Sequence, residues 1–160
     1  MRLARIFCAA LAVASAAVAA DDFKQLRDDV ARGDYSAAVP ALQAAAERDD
    51  PRALSLLASL YQLGQGFPHD AAKAFELYTR AAELGDAEAQ FNIGNIYLLG
   101  DGVKADEAWA LTYYRQAAAQ GHEGAARNLE ELYRLRFDAR ARDQQSSQSS
   151  LARRGGAPLR

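Results

Sequence analysis

Apolar residues in the middle of the chain recur at helical spacing, and the same pattern is written twice, over residues 51–86 and 87–122. Leu57 and Ile93 occupy the same position of the two copies, 36 residues apart. Apolar positions three or four residues apart are typical of a helix with one buried face. A fixed period of about 20–50 residues is typical of a solenoid, in which each unit packs only against its neighbours. The pattern therefore predicts an all-α repeat fold.

Proline, glycine and aspartate divide each copy into two helices. Asp50 and Pro51 are a capping residue and a proline at the first helical position, which predicts a helix start. Gly64 is expected to end that helix in the left-handed conformation that glycine adopts without strain. The positions that the copies share are Ala53, Leu57, Tyr61, Gly64, Gly66, Asp70, Ala81, Ala82 and Gly85, matched by Ala89, Ile93, Tyr97, Gly100, Gly102, Asp106, Ala117, Ala118 and Gly121 and continued by Leu129 and Tyr133.

Large side chains at these shared positions are predicted to form the core. We expect the aliphatic residue of each first helix, and the tyrosine four residues later, to pack between units as far as Leu129 and Tyr133. Trp109 and Tyr113, in the last second helix, are assigned to the core as well. Removing one such side chain should cost ~2–5 kcal/mol.

The segments on either side of the two copies are predicted to close the stack. Residues 21–50 form a degenerate helix pair, in which Asp34 begins the second helix and Pro40 kinks it or delays its start. Residues 123–138 carry a third first helix without a partner, which acts as a capping helix. Residues 139–160 are rich in Gln, Ser, Gly and Arg, so we expect a disordered basic tail.

Residues 1–20 have the composition of a secretory signal peptide. Arg2 and Arg5 precede an apolar stretch, and small residues follow it as far as Ala20. A membrane anchor is the alternative, but the apolar stretch is shorter than the roughly 20 residues that a span requires. The sequence thus predicts an exported protein, periplasmic or alternatively secreted, without stable membrane insertion after cleavage. Cleavage also removes Cys8, the single cysteine, and thereby excludes thiol chemistry from the mature chain.

The net charge is unevenly distributed along the chain. The full chain carries −2, whereas the tail from residue 139 contains five arginines against Asp143. The folded part is therefore acidic. Since a nucleic-acid-binding domain requires a basic face on its folded part, we predict no nucleic-acid partner.

The shared positions also carry a family resemblance. The motif Ala-x-x-x-Ile-Gly-x-x-Tyr-x-x-Gly-x-Gly-Val-x-x-Asp spans residues 89–106 and is closed by Tyr114, Ala117, Ala118 and Gly121. It resembles the Sel-one-like repeat (SLR) family, a branch of the tetratricopeptide (TPR)-like superfamily, over about residues 22–133. Ala58 departs from the family's usual glycine, and Trp109 departs from its usual lysine.

That resemblance has implications for fold and function. It implies a right-handed α-solenoid of antiparallel helix pairs, with two full SLR repeats and degenerate half-repeats at both ends. It also implies an exported bacterial adaptor, because members of the family mostly hold protein complexes together, often in bacterial envelopes. Fold alone does not fix function, so the adaptor role rests on analogy.

No arrangement of residues indicates catalysis. His69 and His122, the only histidines, lie in inter-helix loops at different points of the period. Gly64 and Gly66 precede a helix, but they follow a helix rather than a strand, so they do not indicate a phosphate-binding loop. We predict a non-enzymatic protein with no catalytic residues, no cofactor and no metal. The alternative is an envelope-associated hydrolase of peptidoglycan or a related substrate, which would need converging acid, base or nucleophilic groups.

A partner-binding groove is predicted from the superhelical positions of TPR repeats. The residues on the groove side of the first helices would be Arg52, Ser55, Ser59, Gln62, Glu88, Phe91, Asn95, Leu98, Arg127, Glu131 and Arg134. Phe91 and Leu98 are apolar among polar neighbours, as anchor residues of interfaces are, although packing against a neighbouring helix or the N-terminal cap accounts for them equally well. Arg127 and Arg134 would suit carboxylate groups. We therefore predict a protein or peptide partner.

Overall fold

The structure, a computed structural model, describes residues 20–155 of the chain. The described residues form seven helices and no strand: α1 (Ala20–Arg32), α2 (Tyr35–Ala46), α3 (Pro51–Leu63), α4 (Ala71–Glu83), α5 (Ala87–Leu99), α6 (Glu107–Ala119) and α7 (Glu123–Gly155). The predicted signal peptide lies outside the described residues except for Ala20. The chain divides into two compact units, the first ending at Ala89 and the second beginning at Gln90.

The helices of the first unit begin and end at the proline, glycine and aspartate residues that predict their boundaries. The Asp50 carboxylate accepts hydrogen bonds from the backbone N–H groups of Arg52 and Ala53, at 3.0 and 3.4 Å, and Pro51 opens α3. Gly64 ends α3 with φ of 67°, in the left-handed region. Asp70 caps α4 by accepting from the Lys73 N–H at 2.9 Å. The capping prediction is therefore confirmed at these positions.

The turns around α2 differ from the prediction. Asp34 precedes α2, but its carboxylate accepts from the Ser36 hydroxyl at 3.0 Å and makes no capping bond to a backbone N–H. Pro40 lies inside α2, which begins at Tyr35, so the predicted late start is wrong. After α2, Asp49 has φ of 60°, where the later copies have Gly85 and Gly121. The degenerate copy thus keeps the left-handed turn without its glycine.

Each unit has its own core. In the first unit, Leu26, Leu42 and Leu60 are buried together with small alanines, and Phe23, Tyr35 and further apolar residues pack around them. In the second unit the buried cluster consists of Ala110, Tyr114, Ala117 and Ala125, surrounded by the partly buried Phe91, Tyr97, Leu98, Ala118, Leu129 and Leu132. Alanines at these positions let the helix backbones approach closely.

The buried tyrosines are not the predicted ones. Tyr78 and Tyr114, in the second helix of each repeat, are 1% and 0% exposed. By contrast, Tyr61 and Tyr97 are only partly buried, and Tyr133 is 41% exposed, so its assignment to the core is wrong. Trp109 is 52% exposed and does not belong to the core either. The first-helix tyrosines lie at the edge of each unit, where one side of the ring reaches solvent.

The last helix is much longer than predicted. We expected a capping helix that ends near Asp138 and a disordered tail, whereas α7 runs to Gly155. No glycine or proline interrupts residues 125–154, and alanine, arginine, glutamine and leucine favour the helical conformation. Every side chain from Tyr133 to Leu151 is exposed, so this extension adds no core. The composition indicated correctly that residues 139–151 are exposed, but lack of burial did not prevent a helix.

Candidate protein-binding surfaces

The predicted groove residues of α3 make contacts within the first unit. The Arg52 guanidinium donates to the Asp50 carboxylate, with N–O distances of 3.2 and 2.9 Å, and lies 4.6 Å from the centre of the Phe23 ring. Ser55 is 5% exposed and hydrogen-bonds to the Asp86 carboxylate. Because Ser55 is buried, its placement on an accessible groove wall is wrong.

The other two α3 residues also have partners inside the unit. The Ser59 hydroxyl donates to the Leu56 carbonyl at 2.7 Å, and the Gln62 side-chain oxygen accepts from the Tyr78 hydroxyl at 3.3 Å. Burial raises the pKa of Tyr78, and the Glu88 and Asp86 carboxylates add to that shift, so the phenol keeps its proton and donates. Glu88 itself is exposed at the start of α5. These residues contribute mainly to the structure of the repeat.

Asp86 lies at the turn between the two repeats and is only partly exposed. Its carboxylate accepts from the Ala89 N–H at 2.7 Å and thereby caps α5. Burial raises the pKa of this carboxyl group despite that bond and the bond from Ser55, and Glu88 and Asp50 raise it further. The negative charge of Asp86 is therefore less stable in the folded protein than in an unfolded chain.

In the second unit, Phe91 and Asn95 face α7. Phe91 stacks on the His122 ring with centroids 4.5 Å apart, and the Tyr114 ring centre is 6.0 Å away. The Asn95 side-chain oxygen accepts from the Tyr114 hydroxyl at 2.8 Å and from the Asn128 amide at 3.3 Å. Leu98 is partly buried against the core cluster. The packing alternative thus describes Phe91 and Leu98 better than the role of exposed anchors.

The predicted residues of α7 are exposed and share one face. Arg127, Glu131 and Arg134 follow each other at spacings of four and three residues, and we call them the α7 stripe. Arg134 pairs with Glu131 at 2.7 Å, and Arg127 lies 3.7 Å from Glu123. The hydrogen bond from Arg134 to Glu131 and the charge of that carboxylate raise the pKa of the guanidinium, which stays charged at any physiological pH.

A cluster of aromatic rings that sequence reasoning assigned to the core lies at the surface. Tyr97, Trp109 and Tyr113 lie next to one another, with centroid distances of 5.9–6.1 Å, and we call them the aromatic trio. The signal that could have identified it is the comparison of second helices, because Trp109 and Tyr113 stand where the first copy has Lys73 and Leu77.

The described residues form neither a metal site nor a membrane span. Among residues 20–155, no three or more His, Cys, Asp or Glu side chains are placed to hold a metal ion. Within that range no helix combines the length and the apolar character that crossing a bilayer requires.

This arrangement defines an all-α repeat protein built from helix pairs with glycine turns. The sequence profile of the Sel1 repeat matches residues 51–86 and 87–122, so these two segments are Sel1 repeats of the TPR-like superfamily. The boundaries coincide with the two copies recognised from the periodicity. Sel1 repeat proteins are generally non-catalytic scaffolds for protein interactions.

Solved structures support the same fold. A Sel1 repeat protein from Oxalobacter formigenes, known from its crystal structure, has 32% sequence identity to this chain. The match covers 68% of this chain and 45% of that protein, with a TM-score of 0.64. A protective antigen of uropathogenic Escherichia coli strains, which displays an SLR fold, is 29% identical over 69% of this chain and 28% of its own, with a TM-score of 0.58. The chain spans less than half of either relative. None of the curated proteins matches it. The predicted fold class, an all-α solenoid, is confirmed.

Proposed function

We propose that this protein is an exported, non-enzymatic scaffold of the bacterial cell envelope that binds a protein or peptide partner. The proposal of export rests on Arg2, Arg5 and the apolar stretch that follows them. The proposal of a scaffold rests on the two Sel1 repeats. Periplasmic residence is favoured, and secretion is the alternative.

The α7 stripe is the observation that supports a binding surface best. Of the eleven predicted groove residues, Ser55 is buried and several others bind or pack inside their own unit. The three residues of the stripe are exposed, and their ion pairs lie within α7 itself. Exposed ion pairs contribute only ~0–1 kcal/mol to stability, so the helix does not need them to fold.

The chemistry of the stripe indicates which partner groups it would meet. An arginine guanidinium binds a carboxylate through two parallel hydrogen bonds, which gives both energy and orientation. Arg127 and Arg134 are two helical turns apart on the same face, with a carboxylate between them. A partner that presents acidic side chains, or a free carboxyl terminus, on an extended or helical segment would match this spacing.

A crosslinking experiment in the envelope of the source cells tests the proposal. The wild type, the double variant Arg127→Ser/Arg134→Ser and a control double variant Arg140→Ser/Arg142→Ser would be compared for a crosslinked partner identified by mass spectrometry. All four arginines are exposed on α7, so the control removes the same charge from the same helix. We expect loss of the partner only for the stripe variant. Equal recovery of the partner by both variants, with unchanged helicity, would contradict the assignment of the stripe.

Export itself is tested separately. The amino terminus of the protein recovered from fractionated cells should lie close to residue 21, and the protein should be released with the periplasmic fraction. A full-length amino terminus in the cytoplasmic fraction would contradict the proposed location without bearing on the scaffold role.

A further inference from the structure

The aromatic trio combines one ring that is fixed by the core with one that is largely open. Tyr97 packs against the core cluster of the second unit and is only partly exposed, whereas Trp109 is 52% exposed. Tyr113 lies one helical turn after Trp109 on α6 and is also partly exposed. Tyr97 stacks on both other rings, at interplanar angles of 10° to Tyr113 and 24° to Trp109, whereas the Trp109 and Tyr113 rings are tilted by 34° to each other.

The first copy has no aromatic ring at the positions of Trp109 and Tyr113. At the same two positions of the first copy stand Lys73, which pairs with Glu76 at 2.9 Å, and Leu77, which is 6% exposed. The first copy thus forms the same helix pair with a solvated lysine in place of the tryptophan. A half-exposed tryptophan leaves a large apolar area in water, and this area is recovered when a ligand covers it. Trp and Tyr are accordingly the residue types in which interfaces concentrate their binding energy.

The arrangement of the rings differs from that of a cation-binding cage. A cage for a quaternary ammonium group surrounds the cation with aromatic faces, whereas in the trio Tyr97 stacks on both other rings and Trp109 offers the most exposed surface. A polyproline II segment advances ~3.1 Å per residue, so residues two positions apart are ~6.2 Å apart along its axis. This matches the 5.9–6.1 Å between ring centres of the trio. Aromatic-lined surfaces bind such segments in several peptide-recognition domains.

The charge beside the trio favours a basic residue next to the prolines. Residues 101–107, which precede Trp109, contain Asp101, Asp106 and Glu107 but a single Lys104. Asp106 is exposed and accepts from the Trp109 N–H at 3.1 Å, so its carboxylate lies at the edge of the trio. Glu107 is bridged to Arg136 of α7 at 3.2 Å. The three carboxylates, set against Lys104 and Arg136, leave this flank with one net negative charge, which would attract a lysine or arginine of a ligand.

We propose that the aromatic trio binds a proline-containing, basic segment of a partner protein in the polyproline II conformation. The trio shares no residue with the α7 stripe, so this proposal can be tested independently of the proposed binding by the stripe. A protein ligand is preferred over an oligosaccharide because of the acidic flank and because Sel1 repeat proteins are generally protein-interaction scaffolds.

Binding of a synthetic, dye-labelled peptide tests this proposal. The peptide contains eight prolines followed by two arginines, and fluorescence anisotropy reports its binding to the full mature chain. The variants Trp109→Lys and Tyr113→Leu introduce the residues of the first copy, so we expect them to fold, which circular dichroism and thermal unfolding would verify. We expect saturable binding to the wild type, weakened at least tenfold by either variant and weakened by added salt. Leu99→Ala removes another exposed apolar side chain, 77% exposed on α5, and should bind like the wild type.

Three comparisons would overturn the proposal. The first is equal binding of a peptide in which serines replace the prolines, since this would show attraction by charge alone. The second is binding of an oligomer of N-acetylglucosamine, lost in Trp109→Lys, without binding of the peptide, since this would make the trio a sugar platform. The third is unchanged peptide binding in folded Trp109→Lys. The variant Arg127→Ser/Arg134→Ser should bind the peptide as the wild type does, which separates this result from that of the α7 stripe.

Discussion

The contact between Gly94 and Tyr114 yields a quantitative prediction about the second repeat. Gly94 lies in the middle of α5, and a Cβ atom built on it would lie 2.6 Å from both Cδ1 and Cε1 of the Tyr114 ring. The ring is fully buried, and its hydroxyl is fixed by the 2.8 Å bond to Asn95. The variant Gly94→Ala therefore forces the ring to move. In the first copy, by contrast, Ala58 occupies this position.

The expected loss of stability follows from two opposing effects. Inserting a methyl group into a packed core typically costs ~1–3 kcal/mol, and replacing glycine by alanine inside a helix contributes ~1 kcal/mol of stabilisation. We expect Gly94→Ala to lower the free energy of unfolding by about 1 kcal/mol. The effect is large for a domain of this size, for which total stabilities of ~5–15 kcal/mol are usual.

The first copy shows how the protein accommodates an alanine. There Tyr78 lies against a helix with Ala58, and its hydroxyl donates to Gln62, which corresponds to Leu98 of the second copy, rather than to Ser59, which corresponds to Asn95. The hydroxyl partner is thus about one turn further along the helix. The variant Leu98→Gln should therefore rescue part of the loss in Gly94→Ala, with a favourable coupling of at least ~0.5 kcal/mol in a double-mutant cycle.

Urea denaturation measures these values. Trp109 is the only tryptophan, and it lies on α6 close to Tyr113 and Tyr97, so its fluorescence reports on the second unit. Far-UV circular dichroism should give the same midpoint if unfolding is two-state. If the Gly94→Ala variant is more stable than the wild type by ~1 kcal/mol, which is the gain expected from helix propensity alone, the steric argument is refuted. Zero coupling with Leu98→Gln would refute the proposed exchange of hydroxyl partners.

Three further predictions concern turns and the last helix. Burial raises the pKa of Asp86 in the folded state, so the folded protein binds a proton there more readily than the unfolded chain does, and the free energy of unfolding should fall as pH rises from the unfolded pKa, near 3.8, through the folded pKa. The variant Asp86→Asn should remove this part of the pH dependence in urea titrations. Identical pH profiles of the variant and the wild type would contradict the assignment to Asp86. The variant Asp49→Val places a branched side chain at φ of 60° and should lower the free energy of unfolding by ~1–3 kcal/mol. The variant Arg80→Ala breaks only the exposed 2.6 Å ion pair with Asp49 and should lower it by less than ~1 kcal/mol, as measured by thermal unfolding. Equal losses of stability in the two variants would contradict the role of the left-handed turn. Truncation after Asp138 should leave the melting temperature unchanged while the helical signal per molecule falls, because the removed side chains of residues 139–151 are exposed; a lower melting temperature would show a packing role for the extension.

The periodicity of the sequence was sufficient to predict the helices and their turns. Positive φ angles, which L-residues with a side chain adopt only with strain, occur at the turn glycines Gly64, Gly85, Gly100 and Gly121. Capping aspartates at the helix starts and alanines at the close approaches repeat with the same period. These are local requirements of the backbone, so each can be recognised from one residue and its neighbours. The long α7 was missed because a polar composition indicates exposure and does not by itself exclude a helix.

The depth of burial along a helix face could not be predicted in the same way. The first-helix and second-helix tyrosines recur with the same period, yet Tyr78 and Tyr114 are enclosed, whereas Tyr97 is only partly buried. That difference depends on a contact between two helices. Likewise, the replacement of Ser55 by Phe91 indicated an anchor for a partner, whereas the structure supplies His122 as the stacking partner of Phe91.

Differences between repeats therefore have to be sorted by exposure before they are used to locate function. Phe91 and Asn95 differ from Ser55 and Ser59 because the second repeat contacts α7, so these differences are explained by packing. Trp109 differs from Lys73 at a position that is 52% exposed in the second repeat, and the first copy forms its helix pair with the lysine there. A scaffold built from near-identical units can recognise a partner only through side chains that are both different and accessible. By this criterion the aromatic trio and the α7 stripe, rather than the α3 wall of the predicted groove, are the surfaces on which binding by this protein should be tested.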